Sequence, residues 1–216
     1  CDRVVVLGRI AAQHRVHVVE LGGHLAQLGG ADVDGVAAQH AAIDQVALRG
    51  RTLGSVTSDL FISPLVTELR NGNLREADGG TIAFSLNVPQ GGTNNVSVQA
   101  TLTNIDAANL IAALPLEKYL PKGIRDFNAQ TSGTVNITGL PNDANGSIDL
   151  KSAAGSVSGQ TFDAFTAKAQ FRGTMITVEN LELRSTDGYV KANGTYDRAS
   201  TAFNFDLEGR NFQLTA

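Results

Sequence analysis

Tryptophan is absent from this 216-residue chain, cysteine and methionine occur once each, and there are only 5 Pro, 3 Tyr and 9 Phe. A single cysteine excludes a disulfide framework and a thiolate metal site, and it leaves the redox compartment open. With aromatics at 6%, any core must be built mainly from aliphatic side chains. The longest apolar run near the start, Val4 to Leu7, is far short of the ~20 residues that cross a bilayer, and no signal-peptide pattern is present. Lys and Arg are scattered and the net charge is -4, so the electrostatic footprint of a phosphate backbone is missing and no nucleic acid partner is expected. The first residue is Cys1 rather than Met, which reads as a processed chain or a piece of a longer one.

What is present divides sharply near residue 50. Residues 1–50 contain no Ser, Thr, Asn, Lys, Phe, Tyr or Pro, whereas residues 51–216 hold 12 Ser, 18 Thr, 15 Asn and 5 Lys. Residues 1–50 therefore form a separate Ala/Val/Gly-rich segment, read either as a frame-shifted translation or as a helical cap. All four histidines, His14, His17, His24 and His40, lie in it. His14 and His17 share a helical face, but His-x-x-His alone lacks the third and fourth ligands of a tetrahedral zinc, so no metal and no cofactor is expected.

From Thr81 onward the period is two, which sends alternate side chains to opposite faces of a sheet. Ile82, Phe84, Leu86 and Val88 alternate with polar or small residues, as do Val96, Val98, Ala100 and Leu102; PQGGTNN between the two runs predicts an antiparallel hairpin. One segment breaks the period. Asp106 is placed to cap a short helix over residues 107–114, with Leu110, Ile111 and Leu114 as its apolar stripe and Pro115 and Pro121 as its limit, a plug for a sheet. Strands then resume with Val135 and Ile137 and with Ile148 and Leu150, joined by a loop that ends in an Asn145–Gly146 turn. In the last third Phe165, Ala167, Ala169 and Phe171 alternate in one strand. Ile176 and Val178 then alternate in one phase and Leu181 and Leu183 in the other, which predicts a bulge at Glu179 and Asn180. Val190, Ala192 and Tyr196 follow, then Phe203, Phe205 and Leu207, with a terminal strand over Asn211 to Leu214. The fold class expected is mostly β, a curved antiparallel meander with one short helix.

The order SPLVTELRNGNLREADGGTIAFSLNV, VSVQATLTNIDAANLIAALP, TSGTVNITGL and ITVENLELRSTDGYVKANGTYD, closing on FNFDLEG, resembles the repeats of the AsmA-like/TamB superfamily over residues 52–216. The marks are the strand after a polar turn at Gly80-Thr81-Ile82, the strand running into a leucine-rich helix, and SGTVNITG after it. Residues 1–50 match nothing in that pattern. The resemblance implies a bacterial envelope protein, anchored in the inner membrane by a segment not in this chain and extending into the periplasm. It implies a taco-shaped β-groove that carries phospholipid between inner and outer membranes, with membrane components at either end as partners, among them an outer-membrane assembly barrel. Acyl chains would then run along Ile82, Phe84, Leu86, Val88, Val96, Val98 and Leu102, and along Phe165, Phe171, Ile176, Phe203, Phe205 and Leu207. The competing expectation for each residue is ordinary core packing, and the two differ in whether protein covers the face.

An enzyme needs converging acids, bases or nucleophiles, and the chain has no G-x-S-x-G, no P-loop and no spaced Cys and His set. Its carboxylates fall in turns, as at Asp143, Asp187 and Asp197, or on the polar phase of strands, as at Asp149, Asp206 and Glu208. The alternative to a lipid conduit is a secreted adhesive or structural β-repeat. Four Asn-x-Ser/Thr sequons, at Asn95, Asn136, Asn145 and Asn193, are what chance yields in so Asn- and Thr-rich a chain.

Overall fold

The computed structural model describes residues 32–33, 36–48, 50–90, 95–113 and 126–211. They form a sheet that curves without closing, every pairing in it antiparallel, with one short helix. The strands are β1 (Asp32–Val33), β2 (Val36–Leu48), β3 (Arg51–Ile62), β4 (Val66–Arg75), β5 (Thr81–Pro89), β6 (Asn95–Asp106), β7 (Asn128–Pro141), β8 (Ala144–Val157), β9 (Gln160–Phe162), β10 (Ala164–Gly173), β11 (Met175–Ser185), β12 (Gly188–Asp197) and β13 (Phe203–Arg210); the helix α1 is Ala107–Ala113. Each strand pairs with its sequence neighbour from β1 to β13, except that β9 folds back on β8 and β10 takes the next place in the sheet. Short turns and near-neighbour pairing are what a period-two sequence with regular polar punctuation dictates.

Local chemistry accounts for the joints. Asp106 caps α1, its Oδ1 accepting from the Asn109 amide at 3.0 Å, as the sequence predicts. The bulge also falls where it was read. Lys168 faces Asn180 but Ala169 faces Val178, so Glu179 is the extra residue that exchanges the phase of β11.

Two expectations are corrected. Residues 36–48 are not part of a helical cap: β2 pairs with β3 from Ala37↔Ile62 to Leu48↔Arg51, and Gly50, with φ 75°, turns the chain between them at the composition break. His14, His17 and His24 lie outside the described residues. Asn145–Gly146 is not a turn either. Both residues are within β8, and the chain reverses at Asn142–Asp143, three residues earlier. Gly146 is required there for another reason: a Cβ on it would stand 1.9 Å from the Asn136 carbonyl oxygen. Leu114 and Leu214 lie outside the described residues.

The two rims of the sheet are fastened differently. On one rim α1 lies against the sheet and seals a cluster of Leu53, Leu74, Ile82, Leu102, Ile105 and Ala113. A second cluster beside it joins Ala107, Phe127, Ala129 and Phe162. On the opposite rim the Arg198 guanidinium donates to the carbonyls of Pro141 at 2.8 Å, Gly173 at 2.6 Å and Asn142 at 3.4 Å, stapling three turns together.

Candidate functional site: the apolar face

Strand register converts the period-two runs into rows that cross the sheet. One row is Ile43, Val56, Leu74, Ile82, Leu102, Gly133, Leu150, Ala167, Leu181, Ala192 and Leu207, each opposite the next. A second is Gly72, Phe84, Ala100, Val135, Ile148, Ala169, Val178, Gly194 and Phe205. A third is Leu60, Leu69, Leu86, Val98, Ile137, Gly146, Phe171, Ile176, Tyr196 and Phe203. Apart from the Tyr196 hydroxyl, these rows hold no polar side chain. The bulges keep them in phase. At Glu179, and at Asn71 with its φ of 52°, the extra residue returns an apolar side chain to the shared face.

Among the described residues this face is covered at one end and open at the other. Among the described residues α1 is the only helix packed on it, and the only large side chain reduced below 2% exposure is Ile105. Ile82 and Leu102 are buried in the cluster beneath α1, with Phe84 at its margin. Phe165 packs on the neighbouring cluster, its ring 5.0 Å from that of Phe127 and tilted. Leu86, Val88, Val96, Val98, Phe171 and Ile176 are half-buried. At the far edge Phe203 and Leu207 are each 75% exposed and Phe205 36%. At about 4.8 Å per strand, the twelve-strand path from β1 to β13 runs for roughly 50 Å.

Glycines shape the floor of this face. A Cβ at Gly72 would lie 2.5 Å from the Phe84 ring, so the ring spreads across the neighbouring strand instead of standing off it. Phe205 approaches Gly194 in the same way, at 2.8 Å, and Phe162 approaches Gly155 at 2.7 Å. Bare backbone is thereby covered by aromatic surface.

Among the described residues three of the four buried polar side chains, Glu76, Thr131 and Ser152, sit at the plugged rim; Ser58 is the fourth, and Thr67 stands on the apolar side at the other rim, opposite Val88. Thr131 and Ser152 are buried and bond each other, hydroxyl to hydroxyl, at 2.8 Å. Glu76, in the β4–β5 turn, is 6% exposed; its Oε2 accepts from the Asp106 amide at 2.8 Å and its Oε1 has no partner. Burial raises the Glu76 pKa above its ordinary value, a bond from Asp106 opposes the shift, and Asp78 and Asp106 add to it. That carboxyl ties the turn to the start of α1.

The opposite face is mainly polar, with Phe61 under the Arg70 guanidinium and the exposed Met175 among its exceptions. Asp59 receives Asn71 Nδ2 at 2.8 Å and pairs with His40 at 2.9 Å, contacts that hold its carboxyl below the usual value, His40 foremost. Lys168 pairs with Asp149 at 2.9 Å. A shallow depression of about 490 Å³ is lined by Arg184, Thr186, Tyr189, Lys191 and Arg210 among others; Glu182 pairs with Arg184 and Lys191, and the Tyr189 hydroxyl bonds Glu208. Asp143, Asp149, Asp187, Asp206 and Glu208 are exposed, and Asp197 is half-buried at its turn. Among the described residues no three His, Cys, Asp or Glu side chains are grouped to hold a metal ion, and no helix is long and apolar enough to cross a membrane.

The sequence reading missed Phe127, Phe162 and Glu76. Phe127 and Phe162 stand at the ends of strands, where no alternation marks them, and a lone glutamate beside a turn carries no signal of burial. No family model, no curated protein and no solved structure matches this chain.

Proposed function

We propose that this chain is an acyl-chain conduit: a section of an envelope protein whose apolar face takes phospholipid tails and leaves their headgroups in water. The observation that carries the reading is a set of apolar rows continuous across the sheet and left half-open over most of its length. A packed core would bury such rows on both sides. A two-chain lipid has about 30 methylenes, and at ~0.8 kcal/mol each its transfer through water would cost roughly 24 kcal/mol. A track lying across the strands offers the tails a new apolar contact about every 4.8 Å and removes most of that barrier. Ile176, Phe171, Val98 and Leu86 are the side chains proposed to touch lipid, with Phe203, Phe205 and Leu207 at the exit edge; Ile82, Leu102 and Phe165 act instead as the anchored floor beneath and beside α1. The proposed setting is the periplasm, with anchorage to the inner membrane outside this sequence.

Native mass spectrometry with lipid extraction, on the whole chain purified from a bacterial periplasm, tests this. Copurified phospholipid that disappears in Ile176→Asp, with the far-ultraviolet circular dichroism of a β-sheet retained, is the expected result. A folded, lipid-free protein would overturn it and favour a structural β-repeat, the reading to which the full exposure of β13 also lends weight.

A further inference from the structure

Glu76 is the one buried ionisable side chain among the described residues, and the rim is shaped around it. A Cβ on Gly80 would lie 2.4 Å from its Oε2, and one on Gly54 would lie 3.0 Å from its Cα, so bare glycine on two sides makes room for it. Its Oε2 accepts from the amide of Asp106, the residue that leads into α1, while Oε1 has no partner. No cation neutralises it. Of the strands around it and α1, β5, β7 and α1 carry no charged residue, and β6 carries only Asp106. β3 carries Arg51 and Asp59, and β4 carries Glu68, Arg70 and Arg75. Asp59 pairs with His40 and Glu68 with Arg70, while Arg51 and Arg75 are exposed. The charges that act on the Glu76 carboxyl are Asp78, in its own turn, and Asp106, both acidic.

We propose that Glu76 is a proton-operated latch on α1: neutral, it holds the start of the helix down on the sheet; ionised, it releases the helix and opens the cluster of Leu53, Leu74, Ile82, Leu102 and Ile105 beneath. The neutral acid keeps an acceptor for the Asp106 amide and brings no charge into the rim. The carboxylate is a desolvated charge with one donor and two like charges beside it, an arrangement that favours any movement admitting water. The turn cannot supply that movement, because the Glu76 amide donates to the Gly80 carbonyl at 2.8 Å and fixes it. The helix can. It has seven residues, too few to persist without its seat, and besides its Asp106 cap it is tied to β3 by a bond from Asn109 Nδ2 to the Thr52 carbonyl at 2.9 Å. The latch acts on whether α1 covers its cluster, whatever the open half of the face binds.

Hydrogen exchange of the full chain from about pH 4 to about pH 8, corrected for the intrinsic exchange rate at each pH, reads the latch. Protection over Ala107–Ala113 is expected to be greatest below the ordinary carboxyl value of 4.5. Above it, protection should fall by up to about tenfold per pH unit, the slope for one proton, and level off once the raised value in the fold is passed. β10–β12 should hold their protection throughout. Glu76→Gln, neutral at every pH, is expected to keep α1 protected across the range. Asp78→Asn leaves the carboxyl in place and removes one like charge, so its profile should level off at lower pH than the parent. A flat parent profile, an unchanged fall in Glu76→Gln, or an equal fall over β10–β12 would overturn the proposal.

Discussion

One row of this sheet has two fates. Its first half, Leu74, Ile82 and Leu102, is buried beneath α1; in its second half Ala192 is buried, at 7%, between Leu181 and Leu207, which stand 36% and 75% exposed. The alternation is the same in both halves. The second half differs in lacking the cover of α1, in its smaller residues Gly133, Ala167 and Ala192, and in ending on the edge strand at Leu207. An amphipathic sheet is therefore not in itself evidence for a core: the same pattern builds a core where something lies on it and an open surface where nothing does. At the covered end the apolar rows stabilise the fold; at the open end they are the surface on which the proposed lipid binding rests.

The sharpest way to break this contrast is to cut the same kind of side chain on either side of it. Ile105→Ala, beneath α1, is expected to cost about 2–5 kcal/mol in urea denaturation, the range for aliphatic truncation in a packed core. Leu207→Ala at the open edge is expected to change stability by less than about 0.5 kcal/mol. Equal losses at the two positions would mean that the open half is covered. Gly72→Ala comes next. Its methyl group would collide with the Phe84 ring, and overpacking of this kind costs about 1–3 kcal/mol. Placing Ala at both positions 72 and 84 should recover part of that loss, which a double-mutant cycle would read.

Smaller effects sharpen the comparison at the plug itself. Asp106→Ala removes the cap of α1 and is expected to cost about 1 kcal/mol. Hydrogen exchange should quicken over Ala107–Ala113 while β10–β12 stay unchanged. The Glu76 carboxyl gives a pH signature. Its pKa is raised in the fold by burial, so the native state holds this proton more tightly than the unfolded chain. Its contribution is most favourable below the unfolded pKa, near the ordinary 4.5, and declines as pH rises through the folded value. Glu76→Gln, which keeps an acceptor for the Asp106 amide, should remove that decline and be more stable than the parent at pH 7, as thermal unfolding across pH would show.

How far the sequence carried this picture follows from where its alternation is unbroken. β5, β6, β10, β12 and β13 have clean period-two runs, and α1 has its Asp106 cap, so these elements and even the bulge at Glu179 could be read. β3 and β4 could not. Gly54, Ser58 and Asn71 sit at register shifts that break the phase of Leu53, Val56, Leu60, Leu69 and Leu74. β2 is rich in Ala and Gln, residues with little strand preference, and only its pairing with β3 makes it a strand. Composition divides the chain at residue 50 where the backbone merely turns. The candidate site was legible as a set of inward-phase residues, but not its division into covered and open halves, because that depends on where seven helical residues come to rest.

The most direct test of that division is a photo-crosslinking amino acid introduced, one position at a time, in the full chain expressed in a bacterial periplasm. The positions are Leu74 under α1, Leu181 and Ile176 on the open half, and Gln170 on the polar face. Lipid adducts at Leu181 and Ile176, with none at Leu74 or Gln170, are the predicted result. Adducts spread equally over both faces, or none at Leu181 and Ile176 in a folded protein, would contradict the claim that the open half is where lipid binds.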